Sequence, residues 1–213
     1  MVATQVKVTA EMLREKFTAT DELVSIPASK EEFWELLELP EFKIEYSQGQ
    51  IIGTMSYATE NHEAIVANLI ALLHNTLTFE GHKVLGSNRP IYVEECDDIF
   101  EADVHTVLGK TEIHHYGKTK TATMNPSVIV EVASISTAQF DWNTKLPCYK
   151  SIPSVQHIIY VEQNKPYIEV FSKTKKPNQW LNESFGDLSQ KIKIFGKSIP
   201  LKKIYQNVIF NMI

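Results

Sequence analysis

Residues 125–136 read Asn-Pro-Ser-Val-Ile-Val-Glu-Val-Ala-Ser-Ile-Ser. A run of β-branched residues bounded by Pro and Ser is the pattern of a strand buried on both faces. Such a strand belongs in a parallel or mixed sheet covered by helices on each side. Glu131 stands in the middle of the run. An unpaired carboxylate in that setting is costly, so the fold must bring it a cation, hydrogen-bond donors or a metal.

The rest of the chain supplies a mixed pattern of strands and helices. Ser29 and Glu32 have capping-box spacing ahead of a helix that Pro40 ends. "KIEYSQGQIIGTMSY" reads as two strands joined near Gln48-Gly49. In "ENHEAIVANLIALLHNTL", Ile65, Val66, Leu69, Ile70, Leu72, Leu73 and Leu77 recur at helical spacing, which predicts one long helix. "RPIYVEE" and "ADVHTVL" are strands around an acidic turn, and "TEIHHYGKTKTAT" reads as a loop or insertion. "STAQFDWNTKLPCYKSI" is helical in pattern, with Ser136 and Gln139 at capping-box spacing. Beyond it the chain turns β-rich: "HIIYVEQNKPYIEVFS" predicts a hairpin, with strands near 179–184 and 191–200 and a short helix over "LKKIYQNV". The expected class is α/β (α+β mixed), a mixed central sheet flanked by helices with a β-rich C-terminal part. Residues 1–28 are expected to be a peripheral N-terminal segment with a short helix around 9–17, and residues 29–213 a single domain.

The 213 residues suffice for one hydrophobic core, and 43% apolar with 22% charged residues is ordinary globular composition. No apolar run approaches the ~18 residues that span a bilayer. The first residues, "MVATQVKVTAEMLREKF", lack a signal-peptide core, so a cytoplasmic protein with no membrane contact is expected. Cys96 and Cys148 are far apart and in no ligand-type spacing, which predicts two separate reduced thiols and no zinc site. The net charge of −5 does not advertise a nucleic-acid binder. Residues 165–213, however, hold nine Lys against Glu169, Glu183 and Asp187. That basic stretch is either a solubilising surface or a phosphate-facing edge beside an acidic site.

Three acids sit where strands are expected: Glu45 in "KIEYS", Asp103 at the head of "DVHTVL", and Glu131. Asp141 and Lys145 are four apart on the helix that follows the Glu131 strand, and Tyr149 lies a further turn along. In a βα unit that helix returns over the sheet, at the strand end where such sheets place their sites. Two acids on adjacent strands with a Lys form a hard-oxygen site suited to Mg²⁺, which takes one or two carboxylates and keeps waters and room for phosphate. Such a metal would polarise a phosphoryl oxygen and activate a water. Lys145 would orient that water or stabilise transition-state charge.

Asp103, then "VIVEV" with Glu131, then Lys145 resembles the PD-(D/E)XK nuclease superfamily, and within it the Uma-type family of restriction-endonuclease-like proteins. The likeness covers roughly residues 29 to 205, including "IEYSQGQI", "NHEAIVANLIALL", "NPSVIVEVASIST", Asp141-x-x-x-Lys145 and "YKSIPSVQHIIYV". It implies a restriction-endonuclease-like core and Mg²⁺-dependent cleavage of DNA phosphodiesters, with Mn²⁺ as a substitute. By match, Asp103 and Glu131 would bind metal, Glu45 would be an additional acid, and Lys145 the catalytic lysine. His62 also falls on a family-typical position, where it would orient an acid or act directly. In the commonest form of the superfamily the Lys follows the Glu by two residues. Here that position is Ala133, so Lys145 is a migrated lysine.

The chain departs from the family pattern at Ala102, where Pro is common, and at Gln48 and Gln50, where acids are common. Pro147 is the sharpest departure. In mid-helix it removes a hydrogen bond and clashes with the carbonyl of Asn143, which predicts a kink or break just after Lys145. Three functions remain open on sequence: an active nuclease, a degenerate member serving as a binding or dimeric scaffold, and a hydrolase of small phosphate esters. A homodimer is expected from the two-fold symmetry of duplex DNA.

Overall fold

The computed structural model describes residues 7–20, 22–37, 39, 41–55, 58–116, 119–133 and 137–210. In chain order it runs α1 (Ala10–Thr18), β1 (Val24–Pro27), α2 (Lys30–Leu36), β2 (Phe42–Ser47), β3 (Gln50–Met55) and α3 (Glu60–Leu77). Next come β4 (His82–Gly86), β5 (Ile91–Val93), β6 (Asp98–Phe100), β7 (Val104–Leu108), β8 (Ile113–Tyr116), β9 (Lys120–Thr123) and β10 (Val128–Ala133). The last third holds α4 (Ala138–Phe140), a π-helical turn (Asp141–Lys145), α5 (Leu146–Ser151), β11 (His157–Glu162) and β12 (Ile168–Lys173). β13 (Trp180–Phe185), β14 (Lys191–Ile194), β15 (Lys197–Pro200) and α6 (Leu201–Ile204) complete it.

These strands form two mixed sheets rather than one. The six-stranded sheet has the order β13-β12-β11-β10-β7-β4, with β10 and β11 parallel. The seven-stranded sheet has the order β1-β3-β2-β6-β5-β9-β8, and β14 pairs with β15 separately. Strand alternation sorts the six-stranded sheet into two faces. Val128, Val130 and Val132 of β10 pack with Ile65, Leu69, Leu73 and Leu77 of α3 and with Leu201 and Ile204 of α6. Ile129 looks the other way, toward Leu146, Cys148 and Tyr149 of α5 and toward β5 and β6. Glu131 shares that second face, two residues along. The run of Val and Ile is thus core on one side and site on the other.

β2 alternates in the same way. Phe42, Ile44 and Tyr46 enter a cluster with Leu13 and Phe17 of α1 and Phe33 and Trp34 of α2, which leaves Lys43 and Glu45 on the opposite face. β3 comes close to β2 at Gly53, where a Cβ would stand 2.5 Å from the Lys43 carbonyl oxygen. Gln48 and Gly49 both have positive φ, 51° and 75°, as a two-residue hairpin turn requires.

Several elements fall where the sequence puts them. α2 carries the Ser29–Glu32 capping box, and α3 covers the whole helical repeat. Pro40 and Ser136, the expected stop and cap, lie outside the described residues.

Other expectations are corrected. "TEIHHYGKTKTAT" holds the β8–β9 hairpin, whose Tyr116 stacks on Trp34 with ring centroids 5.4 Å apart. The described part of residues 1–28 lies at the edge of the seven-stranded sheet, where β1 pairs with β3, and buries Val8, Leu13, Phe17 and Ile26. The helix does not break after Lys145. Its irregularity precedes Pro147, as the π-helical turn whose Leu146 N–H reaches back to Asp141 O. Widening that turn draws the Asn143 carbonyl away from the proline ring, and α5 continues with Pro147 in its first turn. Finally, Cys96 and Cys148 are joined as a disulfide with Cα atoms 6.0 Å apart, not kept as separate thiols. β5–β6 and α5 pack on one another, a contact between distant segments that cysteine spacing does not encode.

Candidate active site

The site lies between the two sheets, at the C-terminal end of β10. One step past the last β7–β10 ladder pair, Val104–Val130, Asp103 stands level with Glu131. Asp103 Oδ2 accepts from the backbone N–H of Val132 at 2.8 Å. Its Oδ1 meets Lys43 Nζ at 3.0 Å and His62 Nε2 at 3.3 Å. Thr59 caps α3 and places His62 in its first turn.

Lys145 joins the remaining acids. Its Nζ is 2.8 Å from Glu45 Oε1, 3.2 Å from Glu131 Oε1 and 3.1 Å from Asp141 Oδ1, and its side chain is 4% exposed. Glu131 Oε1 also accepts from the Tyr149 hydroxyl at 2.7 Å. The Tyr160 hydroxyl donates to the Asp141 backbone oxygen at 2.9 Å, which fixes the π turn against β11. Glu45 Oε1 accepts from the Glu101 N–H at 2.8 Å. The structure therefore brings together Glu45, Asp103, Glu131, Asp141, Lys145 and His62, all six expected site residues.

Electrostatics follows from the crowding. Burial pushes Glu131 up to about 8, against the pull of Lys145 and with help from the carboxylates of Asp141, Asp103 and Glu45. Burial, then the charge of Glu45, raises Glu101 to about 8 as well. Glu45 is raised by burial, which Lys145 only partly offsets. Asp103 is the exception: burial opposes its ionisation, yet Lys43, His62 and the Val132 N–H together hold its carboxyl below the usual range. Burial likewise opposes charge on Lys145, but Asp141, Glu131 and Glu45 outweigh it and the ammonium is held well above its ordinary range.

Five acids (Glu45, Glu101, Asp103, Glu131 and Asp141) thus face two lysines. The pocket therefore holds more carboxyl groups than lysines to pair them, all offering oxygen, and a hard dication would draw the raised acids to ionise. Among the described residues, no three of these acids with His62 bring ligand atoms within 4.8 Å of one another. Asp103 and Glu131, level with one another on one sheet face, are the two carboxylates that would hold such an ion, with water completing its shell.

Residues 31–196 match the family described as Uma2, putative restriction endonuclease. The chain belongs to this family. A relative, the uncharacterized protein sll1609 of Synechocystis sp., is 29% identical over 145 residues, 68% of this chain and 80% of its own. The fold also resembles the crystal structure of a putative nuclease of the DUF820 group from Anabaena variabilis. The TM-score is 0.67 at 14% identity, over 86% of this chain and all of that one. The mixed sheets flanked by helices are accordingly those of a Uma2 restriction-endonuclease-like fold, and the function is nuclease-like.

Two things at this site escape the sequence reading. Lys43 is not among the expected site residues, although the alternation in "FKIEYS" carries the signal: if Glu45 points inward, so does Lys43. Three lysines of the basic C-terminal stretch, Lys173, Lys175 and Lys176, do not adjoin the acids as an edge. Glu131 is level with Tyr160 and Glu169, whereas Lys173 ends β12 opposite Trp180, four residues along. Lys173, Lys175 and Lys176 therefore gather about the β12–β13 turn, on the order of 13 Å down the sheet from Glu131. Among the described residues no helix is long and apolar enough to cross a membrane.

Proposed function

We propose that the protein is a Mg²⁺-dependent endonuclease that hydrolyses DNA phosphodiester bonds. The observation that carries this is the pairing of Asp103 with Glu131 on one sheet face, inside a cluster whose acids outnumber its lysines. Asp103 and Glu131 hold the metal, and Mn²⁺ serves in its place. When bound, the ion supplies Lewis-acid polarisation of the phosphoryl group and lowers the pKa of water. Lys145 clamps Glu45, Glu131 and Asp141 in one arrangement, and Tyr149 fixes the Glu131 oxygen from the other side. His62 orients Asp103. A two-fold dimer and a cytoplasmic location go with this reading. A reducing cytoplasm would leave the Cys96–Cys148 bond open to exchange.

Plasmid and single-stranded DNA, incubated with Mg²⁺, Mn²⁺ or chelator, test the reading. Wild type should cut with metal only, and Asp103→Ala and Glu131→Ala should not cut. Equal cutting by these variants, or none by wild type, sinks the assignment. Metal binding without cleavage would instead favour a scaffold. Turnover of small phosphate esters alone would favour a phosphatase-like hydrolase.

A further inference from the structure

The site contains two lysines in unlike states. Lys145 is buried and spends its ammonium on three carboxylates at 2.8, 3.1 and 3.2 Å. Its Nζ donates to Glu131 and stands in ion-pair range of Glu45 and Asp141, so moving it to a phosphate would break three charge contacts in a dry site. Lys43 has one carboxylate, Asp103, at 3.0 Å, and its side chain is 35% exposed. The oxygen it occupies, Asp103 Oδ1, is also shared with His62, while Oδ2 is committed to the Val132 N–H. Asp103 also lines a cleft of about 320 Å³ walled by Val66 and Ile70 of α3 and by residues 86–89, which gives an incoming group an approach.

We infer that Lys43 is the lysine that meets the substrate. It holds Asp103 in the metal-free protein, is displaced from Oδ1 by the incoming dication, and then pairs with a non-bridging oxygen of the phosphodiester. Lys145 is a positioning residue that never leaves the acids. The physics is competition at one oxygen. A dication and an ammonium cannot share Asp103 Oδ1 without repulsion. Lys43 is the cation free to move, because it breaks one ion pair where Lys145 would break three. Its four-carbon stem allows that movement, and an anion arriving with the metal gives the ammonium a new partner. This inference rests on the proposed nuclease reading for the identity of the anion, but not for the competition itself.

The test uses the full chain and three variants, Lys43→Gln, Lys43→Arg and Lys145→Gln. Calorimetry with Mg²⁺ alone reads the competition. Lys43→Gln should bind Mg²⁺ about threefold or more tightly than wild type, the scale of one exposed ion pair removed. Lys145→Gln should bind no better than wild type, since it unclamps the acids. Anisotropy of a labelled, cleavage-resistant DNA duplex in saturating Mg²⁺, over a range of salt, reads the anion contact. Lys43→Gln should reduce the slope of log affinity against log salt by about one. In metal-dependent cleavage at saturating DNA, Lys43→Gln should lose roughly a hundredfold in kcat. Lys43→Arg, which keeps charge, should recover most of it.

Unchanged or weakened Mg²⁺ binding by a folded Lys43→Gln overturns the inference, as does an unchanged kcat or salt slope. If wild type cuts no DNA with either metal, the nuclease reading falls. The Mg²⁺ comparison still decides whether Lys43 competes for Asp103. Should Lys43→Gln fail to fold, Lys43→Arg carries the same comparison, with Mg²⁺ affinity near wild type expected and a large gain overturning the competition.

Discussion

Lys145 Nζ lies 3.2 Å from Glu131 Oε1, and both side chains are almost wholly buried. Removing one partner of such a pair leaves the others unneutralised in a dry site. Lys145→Ala should therefore destabilise the metal-free protein by about 3–5 kcal/mol, the usual cost of breaking a buried pair. Urea unfolding in chelator measures it. A loss below ~1 kcal/mol would mean that the clamp is open to solvent and worth no more than a surface pair.

Protonation gives the metal-free protein an unusual pH profile. Glu131 and Glu101 both titrate near 8 in the folded state, far above their ordinary range. A raised folded pKa means that the native state holds protons the unfolded chain has lost, so stability falls as pH rises from about 4.5 to 8. Asp103, whose carboxyl is held low, gives the opposite trend below about pH 4, where stability is lost as pH falls. Thermal melts in chelator should peak on the mildly acidic side. Millimolar Mg²⁺ should flatten the fall toward pH 8, because the ion binds the ionised carboxylates. A melting temperature that is constant from pH 5 to 8 in chelator would contradict the assigned burial.

The same titration predicts proton release. Glu131 must ionise to bind metal, so Mg²⁺ affinity should rise with pH up to about 8 and binding should liberate protons. Calorimetry in two buffers of different ionisation heat detects it. Glu131→Gln should abolish the release, and in chelator at pH 8 it should be at least as stable as wild type.

Pro147 has a kinetic consequence. Its ring cannot accept a neighbouring i−4 carbonyl, and the Asp141–Lys145 turn is wide in consequence. Pro147→Ala restores the N–H and lets the turn tighten to α-helical geometry, which keeps Asp141 and Lys145 on one face but rotates the pair relative to Glu45 and Glu131. Stability should stay level or rise, while cleavage falls by about tenfold or more, as small misplacements of catalytic groups do. Cleavage at the wild-type rate would show that the wide turn does not set the lysine's aim.

How much of this was legible in the sequence depends on how far each contact reaches along the chain. Asp141 and Lys145 are one turn apart, and Glu131 betrays itself as a lone acid among Val and Ile. The α3 repeat and the Ser29 capping box are local as well. Lys43 and Asp103 are 60 residues apart and meet because one sheet packs over the other. No periodicity within either strand reports that. The division into two sheets was hidden for a related reason: Asp98–Phe100 and Lys120–Thr123 each have a local hairpin partner, but the pairs that join those hairpins into the larger sheet, Tyr46 with Ile99 and Ile91 with Thr123, link separate segments. Pro147 was legible as a disturbance, but its direction was set by which carbonyl could yield, and Tyr160 holds the Asp141 end of that turn.

The disulfide joins residues 52 apart. Closing a loop of that length is worth about 2–4 kcal/mol, so reduced protein should unfold at correspondingly lower urea. The segment it encloses contains Asp103, Glu131, Asp141 and Lys145. Four of the six expected site residues are therefore written on a covalent circle. Cutting that circle once, for instance at the exposed turn of Leu108 to Lys110, would leave a chain with a break but no loose piece. The oxidised protein can be opened there as a split or rewired chain, its four site residues still belonging to one molecule, whereas the reduced protein would part into two.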